Sequence, residues 1–254
     1  MRILLIMLTL WSVVCHGQVR KGDYVKTFPF KNIYQKITKQ FARIDSLQQS
    51  GGYDSLESEN EKVISILNQY RTHLFNFPDT LNYDFIYLAK SADKNLVLVS
   101  WDTRTGGTLI AFTTMAIFKT PQGVATRMLV DTTDESMPYS YMHYNSVNTI
   151  KATNGRSIYL AWGNGQGSTA LPWQELRAFS IVNGQLIEPK IFPDKMSKVY
   201  VEFDLHAFNE EQRVPSIKIK DCGRTIRVPI EGAKQGFSGK YKTYTFNGKN
   251  FVAS

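Results

Sequence analysis

Cysteine is almost missing from this chain: 254 residues hold two, Cys15 and Cys222. A disulfide framework needs an even, spaced set, so an apolar core has to stabilise the fold instead. Histidine is equally scarce, at four residues. His73, His143 and His206 stand far apart, and no His-Glu-x-x-His or Cys-x-x-Cys spacing occurs, so no metal site is expected. The Gly-x-Ser-x-Gly elbow of common serine hydrolases is missing too. Gly163-Asn164-Gly165-Gln166-Gly167 has the glycine richness of a phosphate-binding loop but not its Lys-Ser/Thr ending, and no helix pattern follows it. The acid-rich stretch from Asp131 to Glu135 lacks the alternating oxygen ligands and turn glycine of a calcium loop, and Asn209 to Glu211 reads as solvated loop. No cofactor is therefore expected. A sequence period of about 40 residues, the mark of propeller blades, does not emerge either.

Long hydrophobic runs are limited to one. Arg2 is followed by an apolar run from Ile3 to Val14 and then by Cys15-His16-Gly17, the order of an export signal. The run is shorter than the roughly 20 residues of helix that a bilayer demands. Residues 1–17 are thus expected to be a signal peptide cut near Gly17, placing the mature protein in the periplasm or outside the cell. No transmembrane helix is expected in the mature chain, and Cys222 is left as a lone thiol without an internal disulfide. The alternative is a lipid-bearing Cys15, against which Val14 counts, since Gly, Ala or Ser normally stands before such a cysteine.

Turning to what is present, Phe30, Ile33, Tyr34, Ile37, Phe41, Ile44 and Leu47 recur at steps of three and four, which predicts an amphipathic helix ending at Ser50-Gly51-Gly52. Asp54 with Glu57 suggests a capping box for a second helix, striped by Leu56, Val63, Leu67, Tyr70 and Leu74 and running to about Phe75. The short connection predicts an antiparallel helical hairpin within 18–80, and Pro78 marks its end.

From residue 81 to 254 the pattern changes to short Val-, Ile-, Tyr-, Phe- and Thr-rich runs separated by Gly, Asn and Asp. Asn154-Gly155, Asn183-Gly184 and Asn247-Gly248 lie between such runs, the pairing that type I′ hairpin turns favour. Eleven or twelve strand candidates are expected to pair in sequence. The fold class is α+β: a helical hairpin packed on a large antiparallel β meander, as a sandwich or a partly closed sheet, with a propeller-like arrangement second. The helices and the β region are expected to form one structural unit.

Two polar stretches could carry chemistry. Trp101-Asp102-Thr103-Arg104 follows an apolar run, and Trp162-Gly163-Asn164-Gly165-Gln166 follows another, with Trp173 and Glu175 just beyond. Indoles beside Asp, Asn, Gln and Arg are a means of binding sugar rings, so Trp101, Asp102, Arg104, Trp162, Asn164, Gln166, Trp173 and Glu175 form a candidate glycan-binding set. The competing reading is that the tryptophans pack in the core and the glycines serve turns. Asp102 and Glu175 would also suit a glycosidase if they faced each other about 5 to 10 Å apart. Cys222, beside Arg224, would be a nucleophile only if one of the histidines approached it.

Charge is uneven. The chain carries a net +8, and nine of its Lys and Arg residues lie between Arg213 and Ser254 against Asp221 and Glu231 alone. In Ile217-Lys218-Ile219-Lys220 apolar and basic residues alternate, which predicts a sheet with one positive face. Lys218, Lys220, Arg224, Arg227, Lys240 and Lys242 are the candidate residues of that face. It would attract acidic glycans, lipid phosphates or acidic proteins; alternatively, the lysines guard an edge strand. No recognition motif points to nucleic acid.

The string Val99-Ser100-Trp101-Asp102-Thr103-Arg104-Thr105-Gly106-Gly107-Thr108, with the hairpin Phe179-Ser180-Ile181-Val182-Asn183-Gly184, resembles an uncharacterised family of exported Bacteroidota-type proteins. The resemblance implies an envelope-facing, β-rich protein and transfers no residue role. The expectation is a non-catalytic exported binding module for a glycan or an anionic envelope component. The alternatives are a secreted hydrolase acting on glycan or peptide, and an inhibitor of another secreted enzyme; a secreted protein is a further possible partner.

Overall fold

The computed structural model describes residues 30–77, 86–130, 140–208 and 214–254. The leader, Pro78, the acid-rich stretches 131–135 and 209–211, and Arg213 lie outside these segments. Helix α1 (Lys31–Gln49) buries Ile37, Phe41 and Ile44 from its expected stripe. Its end follows from Gly51, whose φ of 77° brings the Gly52 amide back to the Leu47 carbonyl at 2.8 Å, closing off the last turn. The expected capping box does not form. Residues Tyr53–Ser55 make a 3-10 turn instead, and α2 (Leu56–Leu74) begins without a side-chain cap. Helices α1 and α2 pack as a hairpin.

Among the described residues, the rest of the chain forms three antiparallel sheets in which the chain meanders from strand to neighbouring strand. The first holds β1 (Ile86–Lys90), β2 (Leu96–Asp102), β3 (Phe112–Thr120) and β4 (Gly123–Leu129). The second holds β5 (His143–Lys151), β6 (Ser157–Ser168), β7 (Leu171–Val182) and β8 (Gln185–Ile187), with β9 (Lys198–Glu202) on the first half of the β7 edge. The third holds β10 (Lys218–Lys220), β11 (Thr225–Glu231), β12 (Phe237–Phe246) and β13 (Phe251–Ala253).

The period-two alternation of side chains explains how these parts stack. In β2 and β3, Val97, Val99, Trp101, Met115 and Ile117 join Phe41, Val63 and Leu67 of the helices in one core. Their neighbours Leu96, Leu98, Ala116 and Phe118 point the other way and meet Tyr144, Tyr159, Ala161 and Phe179 of the second sheet. Ile158, Leu160, Leu176 and Ala178, on the second sheet's far side, meet Ile226, Tyr244, Phe246 and Phe251 of the third. The order is helices, first sheet, second sheet, third sheet. Two sheets are therefore covered on both faces, which is why Leu96-Val97-Leu98-Val99 is apolar without a break. The outer face of the third sheet ends the stack.

Of the three Asn-Gly pairs, one makes the expected two-residue turn: Asn183 and Gly184 both have positive φ, at 50° and 75°. At the other two the loops are wider and the asparagine works through its side chain. Asn154 Oδ1 accepts the Arg156 amide at 3.1 Å, and Asn247 Oδ1 accepts the amides of Lys249 and Asn250 at 3.0 and 2.9 Å.

Candidate functional site

The three tryptophans of the candidate set occupy three different layers. Trp101 is 0% exposed in the core between helices and first sheet, where its indole N–H donates to Asn60 Oδ1 at 2.8 Å. Trp173 packs between the first and second sheets, and Trp162 between the second and third. They build no common surface, and Trp101 cannot reach a sugar without unfolding the layer around it.

The second polar stretch is strand rather than loop, since β6 continues through Trp162, Asn164 and Gln166 to Ser168. Its glycines have a steric reason. A Cβ on Gly165 would lie 2.3 Å from the Trp173 indole and 2.4 Å from the Tyr141 carbonyl oxygen. A Cβ on Gly163 would meet the His143 carbonyl oxygen at 2.3 Å. The glycines let an indole lie across the backbone of the neighbouring strand.

Asp102 and Glu175 belong to separate polar clusters. Asp102 accepts the Arg104 amide at 2.8 Å and the Arg104 guanidinium at 3.1 Å, and Arg104 reaches on to Asp45 of α1 at 3.3 Å. Burial raises the Asp102 pKa above its ordinary value, more than Arg104 lowers it. Glu175, 2% exposed, accepts the Tyr144 hydroxyl at 2.9 Å and pairs with Lys198 at 3.0 Å.

Beside Glu175 lies a charged network that sequence reading did not foresee. Arg177, 3% exposed, donates to Glu188 at 2.8 Å, and Glu188 also takes Arg127 from β4 at 2.6 Å. Burial disfavours the Arg177 charge, but Tyr144, Glu175 and Glu188 around it outweigh that and keep its pKa above the ordinary value. Burial, then Glu175, drives the Tyr144 hydroxyl well above its own. These groups join β4 and β5 to β7 and β9, and hold the sheets in register. No periodicity announces such a network, because its members come from four strands and a loop.

In the full-length chain Cys222 is disulfide-bonded and offers no thiolate for nucleophilic attack; the lone thiol expected after cleavage near Gly17 belongs to a chain without Cys15. His143 stacks on Tyr87, at 3.9 Å between ring centroids, with Phe112 tilted against it at 4.6 Å.

The basic candidates divide as well. Register places Lys218 opposite Arg227 and Arg227 opposite Thr243, with Lys220, Thr225 and Thr245 in the next row of the same outward face. Tyr241 joins them, with Lys218 Nζ 4.6 Å and the Arg227 guanidinium carbon 4.8 Å from its ring centre. Lys242 falls in the alternate row, its ammonium 5.4 Å over Tyr244. Arg224 sits exposed beside the turn before β11, and Lys240 in the irregular stretch of β12 near Gly239. Lys218, Lys220 and Arg227 thus share one sheet face, and none of them is in an ion pair among the described residues.

Comparisons of the chain with protein-family models, with curated proteins and with solved structures return no match.

Proposed function

We propose that this chain is an exported, non-catalytic binding module of the cell envelope that holds an anionic polymer on the outer face of its third sheet. The observation that carries the reading is the Lys218–Arg227 pair, two cations set directly opposite each other on the face that ends the stack. Opposed like charges work against folding. Tyr241 offsets part of this, a cation over a partly exposed ring contributing about 0.5–1 kcal/mol. A chain of anionic groups laid across Lys218, Arg227 and Lys220 converts the remaining repulsion into attraction. The export part of the reading rests on the Met1 to Gly17 pattern. The hydrolase alternative draws little support from Asp102 and Glu175, whose oxygens are taken up by Arg104, Tyr144 and Lys198 in separate clusters.

The test is retention of the purified protein on a sulfated-dextran matrix under a salt gradient. Retention falls with salt, as screened electrostatics requires, and Lys218→Glu with Arg227→Glu elutes earlier than Lys39→Glu on exposed α1. Salt-independent retention, or equal elution of the two variants, overturns the assignment. Export is checked on protein recovered outside the cytoplasm: an N-terminus near Gln18 is expected, and an intact leader on cytosolic protein removes that part.

A further inference from the structure

The hairpin turns at one end of the stack line an open cleft of about 340 Å³ between the first and second sheets, within the size range of small-molecule sites. We propose that it binds a small carboxylate carried on a hydroxylated ring, of the uronic acid type. The inference is independent of the basic face of the third sheet.

Three properties of the lining carry it. Arg156 supplies a cation: its Nε is buried without a hydrogen-bond partner, and its guanidinium is in no ion pair among the described residues. A planar carboxylate matches the guanidinium fork. Lys119 also lines the cleft, but its ammonium is engaged 5.2 Å over the Phe75 ring, which leaves Arg156 as the cation without an ion pair among the described residues and favours a singly charged carboxylate over a phosphate.

Asn95, Thr120 and Ser157 add neutral hydrogen-bonding groups, while Tyr159, Pro121 and Ile181 add apolar surface. That combination suits a sugar ring, with hydroxyls on its edge and C–H groups on its face. The lining is also held in place. Tyr159 donates to Asp93 at 3.0 Å, and Asp93 further accepts from Ser91 at 2.7 Å and from the Asn95 amide at 3.1 Å. These bonds occupy the Asp93 carboxylate behind the Tyr159 ring and pin the turn of one sheet to a strand of the other.

The test is a titration with galacturonic acid, galactose and inorganic phosphate, followed through the backbone amide resonances of Thr120, Arg156 and Ser157. Galacturonate shifts them saturably, and galactose binds about tenfold more weakly, as loss of a charge-assisted pair implies. Arg156→Gln weakens galacturonate to the galactose level while leaving retention on sulfated dextran unchanged. Ile181→Trp, which fills the cleft, abolishes both sugars and decides the matter should Arg156→Gln fail to fold. Equal binding of the two sugars, stronger shifts with phosphate, silent amides, or unchanged binding by the folded variants overturns the proposal.

Discussion

Asn60 of α2 accepts the indole N–H of Trp101 from β2 at 2.8 Å and donates its own amide to the Thr103 carbonyl at 2.9 Å. A second bond from the same amide to the Leu56 carbonyl, at 2.8 Å, fixes the side chain to its own helix. This one buried polar group joins the helical layer to the first sheet and sets the height at which they meet.

Replacing it should be costly. Asn60→Leu strands the Trp101 N–H and the Thr103 carbonyl in the core, a loss of about 1–3 kcal/mol on unfolding in urea. Trp101→Phe leaves the Asn60 carbonyl unmatched and costs a similar amount, whereas both changes together cost less than their sum. Strict additivity would show that the pair does not act as a unit.

Glu175 offers a second test. Glu175→Leu removes the acceptor of the buried Tyr144 hydroxyl and the carboxylate that faces Lys198, so stability should drop by about 3 kcal/mol. Exposed Glu57→Leu in α2 serves as the comparison and should change stability by less than about 0.5 kcal/mol. Equal effects would count against a buried network.

His143 should titrate far from an ordinary histidine. Burial in its aromatic stack lowers the pKa from 6.5 to about 4. The unfolded chain then takes up a proton at pH values where the folded one does not, so stability is complete above about 6.5 and declines as pH falls toward 4, by about 3 kcal/mol in all. His143→Phe should remove that part of the acid sensitivity. An imidazole resonance titrating near 6.5 in the folded protein would contradict the stack.

Gly165→Ala should destabilise by about 1–3 kcal/mol, because the added carbon collides with the Trp173 indole and with backbone at Tyr141. Gly107→Ala, whose Cβ meets nothing within 4 Å, should be near neutral. Similar midpoints for the two variants would mean that the indole can move aside.

Local chemistry is legible in the amino-acid sequence itself. The α1 stripe of Ile37, Phe41 and Ile44 follows from a 3.6-residue period that needs no knowledge of the partner surface. The alternation in Lys218-Ile219-Lys220 likewise settles which side chains emerge together. The turn at Asn183-Gly184 follows from two backbone positions with positive φ. The wider loops at Asn154 and Asn247 escape the same rule, since the width of a loop depends on which strand residues pair across it.

The sequence by itself determined the elements: two helices, short antiparallel strands and a concentration of positive charge near the end, each set by neighbours a few residues away. Tertiary structure alone decided what faces what. Trp101, Trp162 and Trp173 look like one aromatic group along the chain, yet lie in three separate layers, because alternation assigns a residue to a face and cannot name the sheet that covers it. The Glu175, Arg177, Glu188 and Arg127 cluster and the cleft at Arg156 arise only where sheets meet, since hydrogen bonds and van der Waals contacts act over a few ångströms of space, whatever the distance along the chain.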